Sequence, residues 1–218
     1  GRSLAMVKQE SFYDLFKTII SANGSLITVN DEVIYKEYMN QRLVRDLLTV
    51  FEKNQTPYCI HFLHESKGKL NQAWVAEFSI KYNMPLGYLE EDILNQIEKY
   101  EVFQINAYIK DSEIEMMRQS YPQFSFVKLI DIEDGYDIFN KHCSKGSAIR
   151  YLRSHQSGKE MEYYAFGDGF NDLEMFAEVD YSIAMGNGCD LLKERATYVT
   201  DSIHENGIYN ALKNLKLI

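Results

Sequence analysis

Apolar positions in the first part of the chain recur at a helical period and then at a strand period. Residues 3–17 carry them at the spacing of an amphipathic helix, and residues 19–21 then predict a short strand. Two β-rich runs follow at 25–29 and 33–38, and the Asn30-Asp31-Glu32 segment between them indicates a hairpin. The chain is therefore expected to begin as a mixture of helix and antiparallel strand.

The middle of the chain alternates helical and strand patterns. Asn40 is a candidate N-cap for a helix that Asn54 and Pro57 stop. Ser112 opens another helix, which Pro122 ends. Strands are predicted near residues 58–63, 102–109, 124–130 and 136–140, with further helical patterns through Phe78 and Ile93. These elements together predict an α/β unit.

From Lys145 onward the alternation becomes regular. Short apolar strands at 163–166, 181–184 and 198–200 alternate with helices that begin near Asn171, Asp190 and Gly207. Strands that alternate with helices in this way are typical of a parallel sheet covered by helices. We therefore predict an α/β fold.

Composition and charge narrow the function. The 218 residues are 45% apolar and carry a formal net charge of −9, with lysine and arginine spread along the chain. Such a chain has no electrostatic footprint for nucleic acid or an anionic membrane, and no apolar run is long enough to span a bilayer. Nothing marks it for secretion, so the cytoplasm is the expected location. The three separated cysteines predict reduced thiols.

A candidate metal site follows the strand at 163–166. Its sequence is Gly167-Asp168-Gly169-Phe170-Asn171-Asp172, with helical apolar spacing immediately afterwards. Asp168 is placed at the carboxyl end of a strand, where open α/β sheets bind ligands, and Asp172 can converge with it across the turn. Paired carboxylates suit Mg²⁺. The alternative is a glycine turn in which Asp172 caps the helix.

Ser144-Lys145-Gly146 is a second candidate, because it stands where a helix is predicted to start. A cation there is at the unfavourable end of the helix dipole, at a cost of roughly 0.3–1 kcal/mol, which a nearby anion would offset. Lys145 could neutralise a phosphoryl group and the carboxylate that attacks it. The alternative is a solvated surface lysine.

These segments, followed by Ala184-Met185-Gly186-Asn187, resemble the third and fourth motifs of the Cof-type phosphatases of the haloacid dehalogenase (HAD) superfamily. Asn206-Gly207-Ile208 and the Asn23-Gly24 turn also resemble features of that family. The resemblance implies a Rossmann-like core, residues 1–24 and 141–218, with a large α/β cap, residues 25–140, inserted into it.

The resemblance also implies roles for single residues. Lys145 and Asn171 would be catalytic, with Lys145 holding the phosphoryl group and Asn171 touching phosphate or positioning Lys145. Asp168 would bind Mg²⁺, and Asp172 would support the metal directly or through water. Asn23 and Asn187 are weaker candidates for the rim of the site. The implied reaction is hydrolysis of a small phosphorylated metabolite through an aspartyl-phosphate.

The family's nucleophile motif, Asp-x-Asp-Gly-Thr, does not occur in these residues. Asp131-Ile132-Glu133-Asp134-Gly135 imitates it, but with different spacing and after the cap, so we interpret it as a hairpin turn. Gly1-Arg2 resembles the end of the family's Thr-Gly-Arg second motif, so we expect the nucleophile upstream and the 218 residues to be inactive. An expression scar would also account for Gly1-Arg2-Ser3.

Three alternatives remain open at this point. The chain could be a HAD phosphosugar mutase or a sucrose-phosphate-type phosphatase, since both have similar late motifs. It could also be a non-catalytic sugar-phosphate-binding or regulatory protein. Cys59, His61 and His64 lie close in sequence, but on a strand His64 points away from the other two, which argues against a metal site.

Overall fold

The computed structural model describes residues 1–69, 71–129, 132–155 and 161–218. It divides the chain into two compact units, residues 1–143 and residues 144–218. Both units combine helices with sheets, which confirms the predicted α/β class. The assignment of residues 1–24 to one domain with 141–218 stays a prediction.

The first unit contains a three-stranded antiparallel sheet and a six-stranded mixed sheet. The six-stranded sheet has the order β6-β5-β4-β7-β9-β8, in which only β5 and β6 pair in parallel. The strands are β1 Thr18–Ser21, β2 Leu26–Val29, β3 Glu32–Lys36, β4 Tyr58–His61, β5 Ser66–Gly68, β6 Gly87–Tyr88, β7 Gln104–Tyr108, β8 Phe124–Lys128 and β9 Gly135–Asn140. The helices are α1 Leu4–Val7, α2 Gln41–Asn54, α3 Ala73–Lys81, α4 Ile93–Gln96 and α5 Ile114–Ser120.

The core of the first unit lies between one face of the six-stranded sheet and α2 and α5. α2 begins where the sequence predicts, because the Asn40 side chain accepts hydrogen bonds from the N–H groups of the second and third helical residues. Its Leu47 and Leu48 are completely buried against Ile60 and Ile105 of the sheet. Each such leucine stabilises the fold by roughly 1.5–3 kcal/mol. The predicted hairpin is confirmed as β2 and β3.

The helix predicted over residues 3–17 is wrong in extent. Only α1 is helical, followed by a 3-10 turn at Tyr13–Leu15. Phe12, Leu15 and Phe16 are 45%, 79% and 57% exposed, so a continued helix would have no core to cover these side chains. Helices of this length gain their stability from a buried apolar face, and without one the pattern alone does not hold the helix.

The second unit is a three-stranded parallel sheet with helices between its strands, as the sequence predicts. The strands are β10 Tyr164–Gly167, β11 Tyr181–Ala184 and β12 Tyr198–Val199. The helices are α6 Lys145–His155, α7 Leu173–Phe176, α8 Asp190–Arg195 and α9 Gly207–Asn214. Ala165, Phe176, Ala184 and Leu192 are buried together and join the sheet to α7 and α8.

Candidate active site

Lys145 lies in the first turn of α6, and its side chain meets a carboxylate. Two serines fix this helix start: the Ser147 N–H donates to Ser144 Oγ at 3.0 Å, and the Ser144 N–H donates to Ser147 Oγ at 2.9 Å. The first turn of α6 contains no acidic residue. Lys145 Nζ lies 2.5 Å from Asp172 Oδ1 instead. The anion that offsets the unfavourable position of Lys145 is therefore the Asp172 carboxylate.

Gly146 allows this contact by letting α6 approach α7 closely. A Cβ atom at Gly146 would lie 2.5 Å from the carbonyl oxygen of Glu174, a distance that real Cβ atoms essentially never show. Any side chain at Gly146 would push the two helices apart and with them Lys145 and Asp172. The glycine beside the lysine thus serves the geometry of the ion pair.

Asp172 is held on three sides. Its Oδ1 accepts from Lys145, and its Oδ2 accepts from the backbone N–H groups of Asp168 and Gly169, both at 3.0 Å. The side chain is only 4% exposed. Because a carboxylate has about four lone-pair sites, little capacity is left for a metal ion. Asp172 therefore fixes both the Gly167–Gly169 turn and the lysine.

Asp168 is in the opposite situation. It follows β10 directly, its residue is exposed, and its carboxylate has no hydrogen-bond or ion-pair partner within the described part of the chain. Its backbone is fixed, however, because the Asp168 carbonyl accepts from the Cys189 N–H at 2.9 Å. A rigid backbone with a free carboxylate at the end of a parallel strand is a suitable ligand for a cation.

The remaining predicted residues are placed differently. Asn171 is half-buried in the 3-10 turn Phe170–Asp172 and makes an interaction of its own. Asn187 is exposed, and its Oδ1 accepts from the Ile203 N–H at 2.9 Å. Asn23 belongs to the unit of residues 1–143, where its Nδ2 donates to Asp137 Oδ2 at 3.2 Å. The structure thus brings Lys145, Asp168, Asn171 and Asp172 together within one unit.

Asp168 and Asp172 are two potential oxygen ligands, and no set of three or more His, Cys, Asp or Glu side chains converges within the described residues. Mg²⁺ is usually bound by one or two protein carboxylates, with waters and substrate phosphate oxygens completing its octahedron. The free carboxylate of Asp168 fits that pattern. The three hydrogen bonds that Asp172 already accepts fit a contact through water better than direct ligation.

Sequence reasoning missed a second polar cluster, which lies inside the first unit. His61 bonds to Ser66 Oγ at 2.8 Å through Nδ1 and to Asn106 Oδ1 through Nε2, and Asn106 Nδ2 donates to Asp137. These side chains are at least 95% buried. Burial lowers the pKa of His61. The sequence signal was available, since polar residues at alternate positions of two strands share one face of a sheet.

Asp131, which belongs to the segment that resembles the nucleophile motif, lies outside the described residues.

Comparison with known proteins decides the family. The family profile described as haloacid dehalogenase-like hydrolase matches residues 1–212. The chain belongs to the haloacid dehalogenase-like hydrolases. A relative in Bacillus subtilis strain 168, named "Putative phosphatase YkrA", is 31% identical over 226 residues, which cover all of this chain and 83% of the relative.

Solved structures show the same haloacid dehalogenase fold. A protein of Geobacillus kaustophilus HTA426 superposes with a TM-score of 0.85 and 25% identity, over all of this chain and 83% of its own. The HAD subclass IIB sugar phosphatase BT4131 superposes with a TM-score of 0.79 and 26% identity, over 94% of this chain and 78% of its own. The fold and family that the motifs implied are therefore confirmed.

Within the described residues, no helix has the length and apolar character that a membrane span needs.

Proposed function

We propose that this chain serves the Mg²⁺-dependent hydrolysis of small phosphorylated metabolites through an aspartyl-phosphate. The observation that carries the proposal is the arrangement of three side chains. A half-exposed Lys145 is held by the buried Asp172, while Asp172 also holds the turn that presents the free carboxylate of Asp168. A fixed cation beside a metal-binding carboxylate is what phosphoryl transfer needs, because charge develops on the phosphoryl oxygens in the transition state.

Each residue then has a defined task. Lys145 pairs with the phosphoryl oxygens and with the attacking carboxylate, and Asp172 keeps its ammonium group in place. Asp168 binds Mg²⁺, which would neutralise phosphate charge. Asn171 contacts phosphate or helps to position Lys145. Asn23 and Asn187 remain candidates for the rim, although the hydrogen bond from Ile203 to Asn187 favours a structural task for that residue.

The substrate class follows from charge and from the relatives. Because the chain has a net charge of −9, an anionic substrate needs local positive charge, which Lys145 and Mg²⁺ would supply. BT4131 is described as a sugar phosphatase. We therefore favour sugar phosphates among small phosphorylated metabolites, acting in the cytoplasm and without nucleic acid or membrane partners.

The attacking aspartate is the part of the proposal that these residues do not supply, since the sequence contains no Asp-x-Asp-Gly-Thr. In the proposed reaction a carboxylate oxygen bonds to phosphorus as the ester P–O bond breaks. Water then hydrolyses the acyl phosphate and frees the carboxylate. Without that carboxylate there is no covalent route, so the 218 residues alone should not turn over phosphate esters.

A paired assay tests the proposal. An aryl phosphate and a set of sugar phosphates are supplied with Mg²⁺ to the 218-residue chain and to the longest native chain that contains it. We expect turnover by the longer chain alone, and its loss on chelation of the metal. Equal turnover by both chains would refute the missing-nucleophile argument and make Asp131 the first residue to mutate.

The absence of the nucleophile motif also favours a second candidate, a non-catalytic sugar-phosphate-binding or regulatory protein. Calorimetry with the same sugar phosphates separates the two functions. Binding without turnover by the longest native chain would support the non-catalytic protein.

A further inference from the structure

The first unit contains a cavity of about 420 Å³ that the proposed phosphatase reaction does not use. It is lined by residues 54–57, which end α2 and lead into β4, and by Trp74, Tyr108, Lys110 and Glu113. Strand register places it at the end of β7 that pairs with Gly135, which is the start of β9. Its volume lies within the range of roughly 300–1,000 Å³ that is typical of small-molecule sites.

Ring contacts hold the aromatic wall of this cavity in place. Trp74 stacks on Phe78 with ring centroids 5.0 Å apart, and it meets Tyr108 edge to face at 6.4 Å. The Tyr108 N–H donates to the Pro57 carbonyl at 2.9 Å, which ties β7 to the opposite wall. The Asp134 carboxylate raises the pKa of the Tyr108 hydroxyl, so this hydroxyl stays protonated. These contacts form a preorganised apolar surface, which lowers the cost of ordering the site around a ligand.

The polar lining offers two opposite charges. Lys110 and Glu113 are joined by a single turn, in which the Glu113 N–H donates to the Lys110 carbonyl at 2.8 Å. Both side chains are exposed, and neither has an ion-pair partner in the described ranges.

This charge pattern argues against a phosphorylated ligand. The lining has one cation, Lys110, and one anion, Glu113, and two further carboxylates, Glu133 and Asp134, act on Tyr108. A dianionic phosphate would meet net repulsion from that set. A ligand with one carboxylate and one ammonium group would find a partner for each. Its apolar part would lie on the rings of Trp74 and Tyr108 and on Pro57.

We propose that this cavity binds a small zwitterion of the α-amino acid class. Lys110 receives the carboxylate, Glu113 receives the ammonium group, and the aromatic wall receives an apolar side chain. The site lies within residues 54–113 and does not depend on the phosphatase proposal. It would give the protein a second ligand besides a phosphate ester.

Tryptophan fluorescence is a direct test, because Trp74 is the only tryptophan in the chain. The purified 218-residue chain is titrated with L-leucine, with isoamylamine, which lacks the carboxylate, and with isocaproate, which lacks the ammonium group. We expect saturable change with leucine at millimolar concentration or below, and binding of each analogue weaker by roughly fivefold or more. No saturable change with leucine, or equal affinity for all three compounds, would overturn the proposal.

Substitutions at two exposed residues test which side chain binds each charged group of leucine. Lys110→Met should remove the preference for leucine over isoamylamine, and Glu113→Gln should remove the preference over isocaproate. Lys99→Met and Glu115→Gln are matched controls, because both residues are exposed and neither lines the cavity. If both preferences survive in the Lys110 and Glu113 variants, leucine binds elsewhere and the site is refuted.

Discussion

Two polar clusters in this protein differ in what their hydrogen bonds leave free. In the first unit, His61, Asn106 and Asp137 are at least 95% buried and bond to one another. In the second unit, Lys145 is 29% exposed, and Asp168 carries a free carboxylate near Asp172, which accepts three hydrogen bonds. A saturated, buried network stabilises a fold, whereas a fixed but unfilled one can bind a ligand. Burial and spare bonding capacity together separate the two tasks.

Asp168→Ala should have the largest effect. In the longest native chain it removes the free carboxylate, so Mg²⁺-dependent turnover should fall to background, while the melting temperature stays close to that of the parent. The steady-state rate as a function of Mg²⁺ concentration is the measurement. Glu194→Ala, an exposed carboxylate in the same unit, is the control. Retained turnover with unchanged Mg²⁺ dependence would remove Asp168 from the site.

Lys145→Ala should reduce kcat in the same chain by roughly 10² or more, the scale for loss of one charge contact in the transition state. The free energy of unfolding should change less than the activation free energy. Asp172 still accepts hydrogen bonds from two backbone N–H groups when the ammonium group is lost. Rapid-mixing kinetics and thermal unfolding of the same sample separate the two effects. The exposed Lys213→Ala is the control. A near-normal kcat would show that the Lys145–Asp172 pair is structural only.

The sequence predicted this second cluster far better than the first. Lys145, Asp168, Asn171 and Asp172 lie within 28 consecutive residues, and a regular βα alternation places them at one strand end. The contact between Asn106 and Asp137 depends on how β7 and β9 pair in the six-stranded sheet. Pairing of that kind is set by long-range register, which local periodicity does not encode. The short α1 has the same explanation, since its length depends on what covers Phe12 and Phe16.

Asn106→Ala tests the buried cluster of the first unit. It leaves the buried His61 and Asp137 without a shared partner, so the free energy of unfolding should fall by about 1–3 kcal/mol. Urea unfolding of the 218-residue chain measures this, with the exposed Asn95→Ala as control. In the longest native chain, KM and kcat per folded molecule should be unchanged. A raised KM with an unchanged free energy of unfolding would show that the first cluster binds substrate. The two clusters would then not differ in their tasks.

The smallest effect concerns pH and His61. Burial lowers the pKa of His61 below its ordinary value of 6.5, so between the two values the unfolded chain binds a proton that the folded chain excludes. The neutral imidazole is therefore fully accommodated above pH 6.5, and stability is lost as the pH falls below that value. One proton corresponds to a slope of at most about 1.4 kcal/mol per pH unit.

Carboxylates elsewhere also lose stabilising interactions in acid, so the slope of the parent alone does not identify His61. The informative quantity is the difference in the free energy of unfolding between the parent and His61→Gln, measured from pH 7 towards pH 5. Because glutamine does not titrate, His61→Gln should unfold more easily than the parent at pH 7 and lose this disadvantage in acid. His142→Gln, an exposed histidine, should follow the parent throughout. A difference that does not change with pH would mean that His61 titrates alike in the folded and unfolded chains, and the first cluster would then be open to water as the second one is.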